Sequence, residues 1–270
     1  MIEFLSYPFF QRSLIAGLIV AILCGALSFF VLLRRLALVA SGVAHAAFGG
    51  VTLAVLFGLP PMAGGVAAAL AVAGATSRSS RAGKGVTEDT AVGVFTVAAM
   101  AAGVVALGLI RSNVDLFGLM FGNILTVAWS DLYVLAIVAI GVLGAGLWNF
   151  RPLLFASIDE DGAQAAGVDI HRMRLLVLSL LGLTVVAALK VAGILLVSAL
   201  LVLPGAAARP LAARWPGFLA ASIGFSVVMM LGGLLLSVAL NIPPGASIIL
   251  LGTLLFVLSV AIERLRSRSS

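Results

Sequence analysis

Long apolar runs broken by short clusters of arginine, glycine and proline make up most of the chain. A run such as "LLVLSLLGLTVVAALKVAGILLVSALLVL" shows none of the two-residue alternation of a barrel strand. Inside lipid only helices and closed barrels satisfy every backbone donor and acceptor, so the pattern predicts an all-α, polytopic membrane helical bundle. One crossing takes about 20 apolar residues. On that ruler nine spans are expected: Ser13–Leu33, Leu36–Leu59, Met62–Thr76, Thr90–Ile110, Leu132–Asn149, Leu175–Leu189, Ile194–Ala208, Phe218–Leu240 and Ser247–Ile262. Only "KVAG" divides the sixth from the seventh. The stretch Asp115–Asp131, interrupted by Gly118, Gly122 and Asn123, is too short for a further span and is expected to be an outer interfacial or re-entrant helix.

Composition agrees with this reading: 63% of the residues are hydrophobic and 10% charged, with a mean hydropathy of +1.26, outside the range of soluble domains. The opening residues "MIEFLSYPFF" carry Glu3, no basic cluster and no small-residue cleavage site after the next apolar run, so the first span is expected to be retained. Cys24, the single cysteine, excludes an internal disulfide and a cysteine-based metal site and is expected to serve packing. The net charge of +6 is spread over short loops rather than gathered on one face, which argues against nucleic acid. With nine spans and the N-terminus outside, thirteen of the sixteen basic residues fall on the cytoplasmic side, leaving Arg12, Arg111 and Lys190 opposite. The expected protein is a single transmembrane domain over residues 1–270 in the cytoplasmic (inner) membrane, with its C-terminus inside.

Two regions carry candidate chemistry. The first is "SGVAHAAFGG", Ser41–Gly50, inside the second span. An imidazole at membrane depth costs free energy unless it faces protein or an aqueous path. Ser41 lies one turn before His45 on the same helical face, and Gly49 follows on that stripe. Beside them Gly42, Ala46 and Gly50 recur every four residues, the spacing that lets another helix approach closely. A second copy of the chain would bring a second Ser41 and His45 opposite the first. One alternative is that His45 only bonds a neighbouring helix. The other is that it binds a metal, imidazole being a common ligand of zinc and other transition metals, with serine a weak ligand or orienter. So open a site suits an ion in transit.

The second region is the connection Phe150–Arg174, "FRPLLFASIDEDGAQAAGVDIHRMR". Ser157-Ile158-Asp159-Glu160 fits a capping box, Asp159, Glu160 and Asp161 suit a helix start, and Gly167 suits the left-handed residue that ends one. A short surface helix is expected, with Ile158, Ala163, Ala166 and Val168 as an apolar face that either docks in the cytoplasm or is simply solvated. Elsewhere, Glu88 and Asp89 complement the start of the fourth span or line an inner exit, Lys190 is expected to snorkel to the interface, and His171 to be solvated or partner-facing. Pro204–Gly205 and Pro243–Gly245 are expected to interrupt or end helices.

Taken in order and spacing, "FFVLLRRLALVASGVAHAAFGGVTLA", "EDTAVGVFTVAAMAAGVVAL", "LFGNIL", "ASIDEDGAQAAGV", "VAGILLVSALLVLPGAAAR" and "IPPGASIIL" resemble the metal-type permease family of ABC importers, which take up zinc, manganese or iron, almost end to end. The resemblance implies a type II ABC importer permease: a homodimer above a cytoplasmic ABC ATPase dimer, served by an extracytoplasmic metal-binding protein. It also implies that the segment Ser157–Gly167 is the coupling helix that sits on the ATPase, and that His45 is a pathway ligand. Many family members carry aspartate where this chain has Ser41, although a form reading S-G-G-I-x-H-A-x-F-G-G is also familiar. Without the carboxylate oxygens a harder ion such as manganese is disfavoured, so zinc is the expected cargo. No tightly bound cofactor is expected. The chain itself is expected not to be an enzyme, because "RSSRAGKGV" lacks the first glycine and the Ser/Thr of a phosphate loop. The alternative is an ion-coupled secondary metal transporter, which calls for internal repeats and intramembrane coupling-ion ligands.

Overall fold

The computed structural model describes residues 7–79, 88–110, 122 and 126–268. Among them every regular element is helical: α1 (Pro8–Leu33), α2 (Ala37–Leu56), α3 (Pro61–Ser79), α4 (Glu88–Leu109), α5 (Trp129–Trp148), α6 (Phe150–Ile158), α7 (Glu160–Ala165) and α8 (Ile170–Ala208), then a 3-10 turn (Arg209–Leu211), α9 (Trp215–Leu240) and α10 (Pro244–Arg268). The all-α class is the one the apolar pattern predicts.

Seven of the described helices are long and apolar enough to cross a membrane, against the nine spans expected. The difference arises in two places. Among the described residues α3 contributes only a shorter apolar stretch, Pro61–Val72, and the sixth and seventh expected spans share α8, which has 39 residues. At 1.5 Å per residue α8 would run about 58 Å if straight, nearly twice a hydrocarbon core of about 30 Å. Its backbone breaks at Gly193, with φ 72° and ψ 169°, a conformation open to glycine and strained for other residues. α8 is therefore two helices joined at a kink, and the divider between them is a single glycine rather than a loop. The helix expected over Asp115–Asp131 falls mostly outside the described residues, and its last three, Trp129 to Asp131, are the first turn of α5.

Contacts group the elements into two units. The first gathers α1, the start of α5, and the chain from Ala188 through α10. Its centre is a seam of small residues and hydroxyls. A Cβ on Gly25 would lie 2.9 Å from Ile223 Cα, so α1 and α9 meet there almost backbone to backbone. Ser222 Oγ donates to the Gly25 carbonyl at 2.7 Å. Pro204, inside α8, lacks an N–H and disturbs the local hydrogen-bond ladder. The next amide, Gly205 N–H, donates instead to Ser28 Oγ at 2.9 Å. Cys24 is fully buried in α1, in the packing role expected of it. Asn241 ends α9 in the left-handed conformation and Pro244 opens α10, where a missing N–H loses no helical bond. Lys190 Nζ sits 2.6 Å from Asp131 Oδ1, so this side chain does not simply snorkel; it reaches an acidic partner. With the lysine 72% exposed, such a pair is worth about 0 to 1 kcal/mol.

The second unit gathers α2, α3, α4, the end of α5, α6, α7 and the first half of α8. α2 is its most heavily packed element, pressed against α3 and α4. A Cβ on Gly50 or on Gly64 would overlap the other's carbonyl, Gly49 lies on the backbone of Ala99, and Gly42 faces Val92 and Thr96. The four-residue repeat of small side chains admits close helices, as expected, but the ones it admits are α3 and α4 of the same chain.

Candidate functional site

Packing on α2 leaves one gap. From Val39 to Thr52 every residue is buried except Ser41 and His45, which are partly accessible one turn apart. Gly49 and Thr52 continue the same stripe toward the helix end but are buried. There Gly103 of α4 closes on Gly49 and Thr52, while Thr52 Oγ1 bonds back to the carbonyls of Phe48 and Gly49. The stripe that carries the imidazole is thus open at Ser41–His45 and shut one turn later.

His45 Nδ1 lies 2.7 Å from the Ser41 carbonyl oxygen. A carbonyl has no proton to give, so Nδ1 must donate. In a neutral ring that leaves the lone pair on Nε2, the arrangement by which a backbone carbonyl orients a metal-ligating histidine. Ser41 therefore acts on His45 through its backbone, whereas the sequence pointed to its hydroxyl. Among the described residues no group of three or more His, Cys, Asp or Glu side chains gathers to hold a metal ion. His171 stands in the first turn of α8, on a different element from His45. Glu88 and Asp89 open α4, but their side chains lie outside the described residues.

The second region forms two short helices rather than one. α6 follows α5 after a single residue, Asn149, and buries Leu153 and Ala156. Asp159 then turns to extended geometry (φ −143°, ψ 97°), and its Oδ1 accepts from Gly162 N–H at 2.9 Å. Asp159 is therefore the N-cap of α7, and the capping box expected from Ser157 does not form. Glu160 and Asp161 occupy the first turn, where acidic side chains suit the helix dipole. At the other end Gly167 has φ 86°, its N–H bonds the Gln164 carbonyl, and Val168 N–H bonds the Ala163 carbonyl. These paired bonds are the Schellman termination that a left-handed glycine permits. The expected apolar face is divided: Ala163 is fully buried and Val168 half-buried, whereas Ile158 is 62% exposed and Ala166 is also exposed.

Ser157 has a different role. It ends α6 with its hydroxyl donating to the Leu153 carbonyl and accepting from Arg34 Nε at 2.9 Å. Arg34 stands in the turn between α1 and α2. Burial holds its guanidinium below the usual arginine range; Glu160 opposes that shift and Arg174 adds to it. Sequence reading treated Arg34 only as a topology charge. Its one local signal is that it shortly precedes α2, in "LLRRLAL".

Comparison with known proteins follows the same lines. Residues 6–263 match the ABC 3 transport family. The manganese transport system membrane protein MntC of Halalkalibacterium halodurans is 38% identical over 262 residues, covering 95% of this chain and 88% of that protein. A Haemophilus influenzae membrane protein named for iron transport is 31% identical over 272 residues, covering 99% and 98%. The structure of PsaBC from Streptococcus pneumoniae in complex with Fab superposes with a TM-score of 0.87 at 30% identity, covering 96% of this chain and 93% of the other. With its fold, its span-length helices and nearly its whole length in register with these proteins, the chain belongs to the ABC 3 transport family.

Proposed function

We propose that this chain is the membrane permease of an ATP-driven divalent metal importer, in which two copies place their His45 side chains on a shared path and α6–α7 docks on a separate cytoplasmic ATPase. The observation that carries this reading is the gap on α2: one imidazole, its Nδ1 committed to the Ser41 carbonyl, stands partly accessible with Ser41 in the otherwise buried stretch Val39–Thr52. An Nε2 lone pair from each copy is a sparse ligand set that holds an ion without trapping it. Directionality comes from the ATPase, which favours one arrangement of the permease over the other as nucleotide binds and leaves. An external binding protein supplies the ion. The family assignment and relatives named for manganese and iron transport support the cargo class. Manganese is the first cargo to test. Zinc is the second, favoured by Ser41, whose side chain lacks a carboxylate.

The test is uptake into vesicles that contain the chain and its ATPase, with manganese and zinc supplied separately, with and without ATP. ATP-dependent uptake is expected, and His45→Ala is expected to lower it by about a hundredfold or more while the complex stays assembled, as loss of an essential ligand does. Uptake driven by a proton gradient without ATP would replace this reading with a secondary transporter. Wild-type uptake in His45→Ala would remove His45 from the path.

A further inference from the structure

We infer that Arg34 is a positioning residue that locks the α6–α7 segment to the start of α2, so that displacement of that segment reaches His45. The inference rests on the transport reading above and adds to it the link between motor and ligand.

The geometry is compact and lies within one unit of the molecule. Arg34 Nε bonds Ser157 Oγ at 2.9 Å, and Ser157 is two residues before Asp159, the residue that caps α7. On the other side Arg34 is three residues before Ala37, where α2 begins. From Ala37 to His45 the helix rises about 12 Å, and from Val39 onward this stretch is buried except at Ser41 and His45. A buried, closely packed helix transmits a push at its end rather than absorbing it.

What makes Arg34 a lock rather than a loose contact is the state of its other donors. Nη2 is buried and has no hydrogen-bond partner. The guanidinium is therefore already short of an acceptor at Nη2, and breaking the Ser157 bond would leave a second donor of a half-buried cation without its protein partner, a larger penalty than moving both residues together. Ser157 is fixed in turn by its bond to the Leu153 carbonyl, inside α6. The charge balance points the same way: Glu160, in the first turn of α7, attracts Arg34, while Arg174, near the start of α8, repels it. Arg34 is drawn toward the α6–α7 side by a hydrogen bond and a charge together.

The test uses the permease assembled with its ATPase in vesicles, with manganese as the transported probe. Arg34→Gln and Ser157→Ala are each expected to leave the ATPase bound and hydrolysing while manganese transported per ATP falls by about five- to a hundredfold, the usual size of coupling between two sites. The double variant is expected to be no worse than the more damaging single one, as for two members of one contact. Ser157→Ala removes only a hydroxyl and carries the test if Arg34→Gln does not fold. Three outcomes would overturn the lock: wild-type manganese per ATP in either single variant, losses that add in the double variant, or release of the ATPase by Ser157→Ala. The same assay separates this inference from its premise. A wild-type complex that shows no ATP-dependent uptake of manganese or zinc refutes the transport reading, whereas normal wild-type uptake with unaffected variants refutes the lock alone.

Discussion

The seam of α1, α8 and α9 and the packing of α2 on α3 and α4 both rely on glycine to bring helices together, yet they treat polar side chains differently. In the seam the hydroxyls bond across helices: Ser222 reaches the Gly25 carbonyl and Ser28 takes the Gly205 amide. On α2 the imidazole of His45 bonds within its own helix, to the Ser41 carbonyl. Each region also leaves a buried hydroxyl unpaired, Ser226 in one and Thr96 in the other, so burial alone does not distinguish them. The distinction lies in where the partner stands. A polar group bonded to a second helix holds two elements in place, whereas a bond made within one helix, like that of His45 or of the buried Thr52, does not tie in a second element.

Three substitutions break or sharpen this contrast. The largest effect is expected from Gly50→Leu, because any side chain there meets the Gly64 carbonyl and Ala68 Cβ. Forcing α2 away from α3 should cost about 3 kcal/mol or more, read as loss of monodisperse protein in detergent and a lower melting temperature. Next is Ser41→Asp, which keeps the backbone carbonyl that orients His45 and adds carboxylate oxygens beside it. Manganese uptake relative to zinc should rise by about tenfold as the site hardens, measured by competition in the same vesicles; an unchanged ratio would mean that residue 41 does not face the ion. The smallest is Ser222→Ala in the seam, expected to lower stability by about 0.6 kcal/mol, the average for a hydrogen bond between membrane helices, with uptake unchanged. A transport defect there as large as that of His45→Ala would dissolve the contrast.

Much of this was legible in the sequence because lipid permits so few backbone solutions. Apolar run lengths located the helices, and glycine marked both the break at Gly193 and the end of α7 at Gly167. What was not legible came from residues far apart in the chain. Ser157 matches the first position of a capping box, but Arg34, 123 residues away, engages its hydroxyl, and Asp159 takes over the cap. Lys190 reads as a lone interfacial cation because Asp131 is 59 residues away. The small-residue repeat on α2 announced a close neighbour without saying which, and chain-internal helices fill that place. α6 was missed because nine residues following a long helix after one intervening position look like a tail rather than an element.

The size of α7 has a consequence of its own. Six residues are too few for a helix to persist in water by itself, since nucleation is unfavourable and each end leaves dangling amides or carbonyls. Its shape is borrowed from the Asp159 carboxylate, the Gly167 turn and the burial of Ala163 against the rest of the chain. A synthetic peptide cut from this stretch would consequently be disordered, and only the intact protein holds these six residues helical.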